Sequence, residues 1–221
     1  MPMPHNDDIA TRTAPAAILF DCDGTLLLTA DLHFTGMEGA MQRQGLEMPR
    51  DWYMSLTGLD RTRLFERFMA DFGVAADLPR LVADSVALTV MLAAQAWENP
   101  LVAALARAAT GVLPVAVVTN SEGEIARAFL REAALLDLFD AIITVEDAPL
   151  PKPAPDLYQI AAARLGAAAR DCLVLEDSEQ GIQAAEAAGM RWIDVRSAEW
   201  PDQCNALMAR IEAGMAVSDL N

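Results

Sequence analysis

One short stretch constrains this chain more than any other: Ile18-Leu19-Phe20-Asp21-Cys22-Asp23-Gly24-Thr25. Its apolar run reads as a buried strand, and Gly24 as the turn that ends it. Side chains alternate along a strand, so Asp21 and Asp23 start from the same face. Two carboxylates side by side at a buried strand end are costly unless a cation stands near them. Oxygen ligands, few in number, suit a divalent cation such as Mg²⁺. A solvated Asp-rich turn is the competing reading of the same residues, and the rest of the chain decides between them.

After Pro100 strands alternate with helices. Pro114-Val115-Ala116-Val117-Val118-Thr119 is the continuous apolar run expected of a parallel strand buried on both faces. Residues 141–145, 172–176 and 192–195 read as further strands. Helices are predicted over 101–109, from Ser121 to about Ala133, over 156–165 and over 179–188. Ser121 and Glu124 fit a capping box for the second of these, while Gly166 and Gly189 fit helix stops. The alternation predicts an α/β fold with a Rossmann-like parallel sheet. Between residues 30 and 98 the texture differs. Apolar residues recur at helical spacing over 30–44, 61–72 and 78–97, with no strand alternation. The expected organisation is a loose leader over 1–15, a core of 16–25 plus 99–221, and a helical cap over 26–98. That cap leaves the first strand just past Asp23, at the carboxyl end of the sheet where such folds bind ligands, and can act as a lid.

Thirty-two acidic against sixteen basic residues give a formal net charge of −16, which argues against nucleic acid or an anionic membrane surface as partner. It also means that any anionic substrate needs a metal and a few placed cations to reverse the field locally. Cys22, Cys172 and Cys204 show no C-x-x-C spacing and read as reduced thiols of a cytoplasmic protein. Neither a signal peptide nor a membrane-spanning run is expected, and the protein is expected to be a monomer or a small homo-oligomer.

Four strand ends carry polar groups in order: Asp21 and Asp23; Thr119, Asn120 and Ser121; Lys152 in Lys-Pro-Ala-Pro-Asp; and Glu176-Asp177-Ser178-x-x-Gly181. A parallel sheet brings all of them to one edge. This series, from Ile18 to Val195, resembles the four motifs of the haloacid dehalogenase superfamily of phosphohydrolases. The helical insert is similar to its first cap class, which includes phosphoglycolate phosphatases, sugar-phosphate phosphatases and β-phosphoglucomutase. The resemblance implies that Asp21 is the nucleophile and Asp23 the general acid and base. Lys152 would neutralise charge, and Thr119 with Asn120 and Ser121 would hold the phosphoryl group. It further implies Mg²⁺ on the Asp21 carboxylate, the Asp23 backbone carbonyl and Asp177, with Glu176 helping directly or through water. On the cap, His33, Gly58 and Arg61 fall where relatives meet their substrates.

Departures narrow the expectation. β-Phosphoglucomutase carries a lysine where Thr57 stands and an acid where Leu28 stands, and its Ser-Lys-Asn reads Ser121-Glu122-Gly123 here. Loss of those cations weighs against holding a bisphosphate in two orientations. Dehalogenases of the superfamily lack the second aspartate, so Asp23 weighs against carbon–halogen chemistry. The expected function is therefore a Mg²⁺-dependent phosphatase of a small phosphorylated metabolite, a sugar phosphate or a phosphoglycolate-like compound. A sugar-phosphate mutase and a non-catalytic binding protein are the alternatives.

Overall fold

A computed structural model describes residues 14–56 and 59–214. The chain enters through β1 (Ala17–Phe20), turns at Gly24, and adds the two-residue strand β2 (Leu27–Leu28). Helices α1 (Ala30–Gln42), α2 (Arg50–Met54), α3 (Arg61–Phe72) and α4 (Leu78–Met91) follow. Strand β3 (Trp97–Glu98) then pairs antiparallel with β2. The remaining elements are α5 (Pro100–Ala109), β4 (Val115–Val118), α6 (Gly123–Glu132), β5 (Ala141–Ile143), α7 (Asp156–Leu165), β6 (Cys172–Glu176), α8 (Glu179–Ala187), β7 (Arg191–Asp194) and α9 (Trp200–Glu212).

The sheet has five parallel strands in the order β5-β4-β1-β6-β7. The chain builds outward from β1 through β4 to β5, then crosses to the other side for β6 and β7. The strand order therefore reverses at β1, and the crevice at its carboxyl end lies between β4 and β6. That switch point is where open α/β sheets take ligands. Strand β1 is apolar throughout because it is covered on both faces. Ile18 and Phe20 pack with Leu105, Phe129 and Leu207, while Ala17 and Leu19 pack with Leu157, Tyr158 and Ala184. The first layer belongs to α5, α6 and α9, the second to α7 and α8.

The helices after β2 have a core of their own, built from Phe34, Met37, Met41, Phe65, Phe68 and Leu81. This lobe returns to the sheet through the β2–β3 ribbon, with Leu27 opposite Glu98. The ribbon is a correction to the sequence reading, which ran one helix from 78 to 97. The helix stops at Met91, a 3₁₀ turn covers Ala93–Gln95, and Trp97 and Glu98 pair with β2 instead. Periodicity missed it because two-residue strands carry no alternation to read. The fifth strand also ends early, at Ile143, because Thr144 and Asp147 close a capping box on the next turn. The short helix α2 and the last helix α9 were not foreseen. The leader falls almost wholly outside the described residues. Among the described residues no helix is long and apolar enough to cross a membrane. All three cysteines are free and buried.

Helix α1, which carries His33, crosses α4 closely at Gly36. A Cβ there would stand 2.1 Å from Thr89 Oγ1 and 2.9 Å from the Thr89 backbone nitrogen. Gly36→Ala should therefore destabilise by about 1–3 kcal/mol even though alanine is the better helix former. Gly39→Ala on the same helix meets only the Leu88 methyl at 3.0 Å and should cost clearly less. Urea unfolding of the two variants measures the difference.

Candidate active site

The site is assembled from the carboxyl ends of β1, β4 and β6. At its centre lies Lys152, a buried lysine whose ammonium donates to Asp21 Oδ1 at 2.8 Å, Glu176 Oε1 at 2.6 Å and the Val118 carbonyl at 2.8 Å. Those three contacts account for all its protons. The loop that delivers Lys152 is stitched to the end of β4 by a side chain. The Lys152 N–H donates to Asn120 Oδ1 at 2.9 Å, and Asn120 Nδ2 donates back to the Lys152 carbonyl at 3.2 Å. The resemblance implies that Asn120 holds the phosphoryl group; its side chain positions the lysine.

Glu176 is wholly buried and fully engaged. Its Oε1 accepts from Lys152 and from Tyr158 at 3.1 Å, and its Oε2 accepts from the N–H groups of Asp177 and Ser178 and from Ser178 Oγ, each at 2.9 Å. A direct metal bond would therefore compete with one of these contacts. Two residues explain why the carboxylate stays put. Tyr158 went unremarked in the sequence, although a tyrosine on the buried face of an Ala-rich helix signals a polar partner inside. Gly181 leaves the room that Glu176 fills, since a Cβ there would fall 1.7 Å from Oε1.

Asp21, Glu176 and Asp177 each place an oxygen within 4.8 Å of the others. One ammonium serves this acidic cluster. Burial and then the Glu176 charge push the Asp21 carboxyl well above the ordinary carboxylate range, and Lys152 offsets this only in part. Burial and Glu176 likewise push Asp177 up to about 7. Ionising both carboxylates is therefore costly without a further cation, and their remaining oxygens are hard donors. This donor set fits a dication held by Asp21 and Asp177. Gly24 keeps the approach narrow, because a Cβ there would stand 2.0 Å from Asp177 Oδ2.

The Asp23 carboxylate turns away from this cluster: β1 ends at Phe20, and the chain already turns at Cys22, before Asp23. The resemblance assigns the cation the Asp23 backbone carbonyl, not this carboxylate. Asp23 Oδ2 accepts from Ser121 Oγ at 2.6 Å and Thr119 Oγ1 at 3.2 Å, and Oδ1 from Thr29 Oγ1 at 2.7 Å. His33 Nε2 also lies 2.7 Å from Oδ1. Burial alone would raise the pKa of Asp23, but the His33 ring and the Ser121 and Thr29 hydroxyls outweigh it and hold it well below the ordinary range. The predicted capping box at Ser121 is also corrected. Helix α6 begins at Gly123, whose N–H is taken by the Glu146 carboxylate, and Ser121 serves Asp23 instead.

The cap closes over Asp23 through a chain of side chains. Arg61 Nη2 lies 3.2 Å from His33 Nδ1. A guanidinium only donates, so Nδ1 accepts and the ring proton sits on Nε2, facing Asp23. Arg61 Nε donates in turn to both oxygens of Glu122 at 3.1 Å. Asp21, Asp23, His33, Arg61, Thr119, Asn120, Ser121, Lys152 and Asp177 line one cavity. Gly58 lies outside the described residues.

Residues 15–189 match the haloacid dehalogenase-like hydrolase family. The fructose-1-phosphate phosphatase YqaB of Escherichia coli is 34% identical over 82% of this chain and 96% of its own length. The β-phosphoglucomutase of Bacillus subtilis is 28% identical over 79% of this chain and 80% of its own. The crystal structure of CbbY from Rhodobacter sphaeroides in complex with phosphate superposes with a TM-score of 0.75 at 27% identity, covering 81% of this chain and 85% of that one. Fold and site thus define a hydrolase with a parallel α/β core and a helical cap. The chain belongs to the haloacid dehalogenase-like hydrolases, and it is an enzyme of that family.

Lys152→Ala should destabilise the protein by about 3–5 kcal/mol, because it leaves buried carboxylates without their counter-charge. Chemical unfolding in the presence of chelator, so that no cation substitutes for the ammonium, gives the value.

Proposed function

We propose that this chain is a Mg²⁺-dependent phosphatase of a small phosphorylated metabolite that works through an aspartyl-phosphate on Asp21. One observation carries the reading. Two acids with different duties face one cavity, Asp21 held by an ammonium and Asp23 held by hydroxyls and an imidazole. Environments that separate two carboxylates in this way divide nucleophile from acid and base.

Lys152 fixes one Asp21 oxygen and leaves the other for in-line attack on phosphorus. Asp21 and Asp177 would hold Mg²⁺, which when bound would supply charge neutralisation at the phosphoryl group. Asp23 protonates the departing ester oxygen and, in the second half, takes the proton of the attacking water. Its donors favour the ionised form, which suits the second task. For the first, the proton arrives with the substrate, while the Nε2–H of His33, 2.7 Å away, keeps its hydrogen bond to the carboxylate. Thr119 and Ser121 hold Asp23 in place, so their hydroxyls act on the phosphoryl group through it. Glu176 acts as the anchor of Lys152. Closure of the cap excludes bulk water from the intermediate.

Asp21→Asn should leave the fold intact and lower phosphate release by roughly 10⁴-fold or more, as loss of a nucleophile does. Circular dichroism and a phosphate-release assay check the two halves. Mg²⁺ should bind more weakly as pH falls below the raised pKa of Asp177, about 7. There the proton occupies the site that the cation needs, so the apparent dissociation constant should rise by up to about tenfold per pH unit and level off above it. Calorimetric titration of the chelator-stripped protein between pH 5.5 and 8.5 measures it, and a flat profile would count against Asp177 as a ligand.

A further inference from the structure

The part of the cavity away from Asp21 has an unusual electrostatic make-up. Its walls on the cap side are Met37, Met54, Leu56, Leu59 and Leu64. Among the described residues lining it, the cationic side chains are Lys152 and Arg61, and both are already ion-paired. Lys152 belongs to Asp21 and Glu176. Arg61 belongs to Glu122, which comes from the sheet side, at the start of α6. The pair is dry: the arginine side chain is 2% exposed and the glutamate 16%. Arg61 Nη1 is buried and has no hydrogen-bond partner.

A cavity with this balance has one place for an anion, beside Asp21. An arginine with no carboxylate opposite it would offer a second place, bidentate and dry. Glu122 removes that option in two ways. It neutralises the guanidinium, and it sets a negative charge where a second anionic group would come to rest. What Arg61 retains are the N–H donors of the unpartnered Nη1, on a guanidinium whose charge Glu122 already neutralises, and such donors suit a hydroxyl or carbonyl oxygen.

We propose that Glu122 is a specificity-determining residue that restricts the enzyme to phosphate monoesters whose organic part is uncharged. The inference rests on the phosphatase reading and names its substrate class. Hydroxylated sugar or polyol monophosphates fit; bisphosphates and phosphorylated carboxylic acids are turned away. The cost to a second anion is twofold, since it must displace the carboxylate from Arg61 and then lie near it in a cavity of low dielectric.

The test compares matched esters that differ only in the second charge. Suitable pairs are fructose 1-phosphate with fructose 1,6-bisphosphate, and 2-hydroxyethyl phosphate with 2-phosphoglycolate. The wild type should favour the uncharged member of each pair by about tenfold or more in kcat/KM. Glu122→Gln should narrow that ratio by a similar factor, through a lower KM for the charged member. Glu122→Ala, measured alongside, should move the ratio in the same direction and guards against an artefact of one substitution. A wild type that prefers the charged members, or a ratio unmoved in both variants, overturns the inference while leaving the phosphatase reading standing. A wild type that releases no phosphate from these esters or from p-nitrophenyl phosphate overturns the phosphatase reading, and this inference with it.

Discussion

Everything at the sheet edge depends on one ammonium group. Lys152 stands between Asp21 and Glu176 with none of its protons facing water. Its own burial disfavours the charge, but the two carboxylates reverse that and hold its pKa well above the ordinary lysine value. A buried ion set of this kind contributes little net stability; its desolvation cost is of the same order as its attraction. What it does is fix geometry. The lysine draws the loop after β5 against the end of β4, Asn120 locks the backbone there, and Asp21 is left with a single orientation. The site is preorganised because three strand ends converge on one cation.

That convergence follows from topology. Strand β1 is where the order of strands reverses, so β4 and β6 flank it and their following loops open on either side of one crevice. The acids come from β1 and β6, and the lysine from the loop after β5 reaches over β4. Glu176 closes the arrangement from beneath, anchored by Tyr158 and by two backbone N–H groups at the mouth of α8. A helix N-terminus favours negative charge there, which is one reason an acid can be fully buried at that place.

Much of this could be read from residues alone. The apolar runs marked β1, β4 and β6, and Gly166 and Gly189 end α7 and α8 with the chain turning as expected. The spaced set of Asp21, Thr119, Lys152 and Asp177 does meet at one edge. What could not be read has a common cause: one residue had two local options, and a distant partner decided. Ser121 fits an N-cap, but Asp23 sits 2.6 Å from its hydroxyl and takes it. Asp23 fits a cation site beside Asp21, but the chain turns at Cys22 and the cap side supplies His33 and Thr29 instead. Trp97 fits the tail of a helix, but β2 offers it a ladder. Local propensity yields to tertiary contact in each case.

The same logic bears on how reaction and selectivity are linked. Arg61 touches His33 with one nitrogen and Glu122 with another, so the group that sets the imidazole tautomer is the group whose charge the sheet neutralises. His33 and Arg61 belong to the cap; Asp23 and Glu122 belong to the sheet. Asp23 therefore acquires its full set of partners only where the lobes meet, and the Arg61–Glu122 pair that joins them also lines the cavity. A second anion in that cavity would compete for Arg61, loosen the contact that holds the His33 proton on Nε2, and so weaken the groups around Asp23. On the proposed function, rejection of such a ligand would operate on the chemistry as well as on binding, which lets a cap of modest size discriminate between esters that look alike at phosphorus.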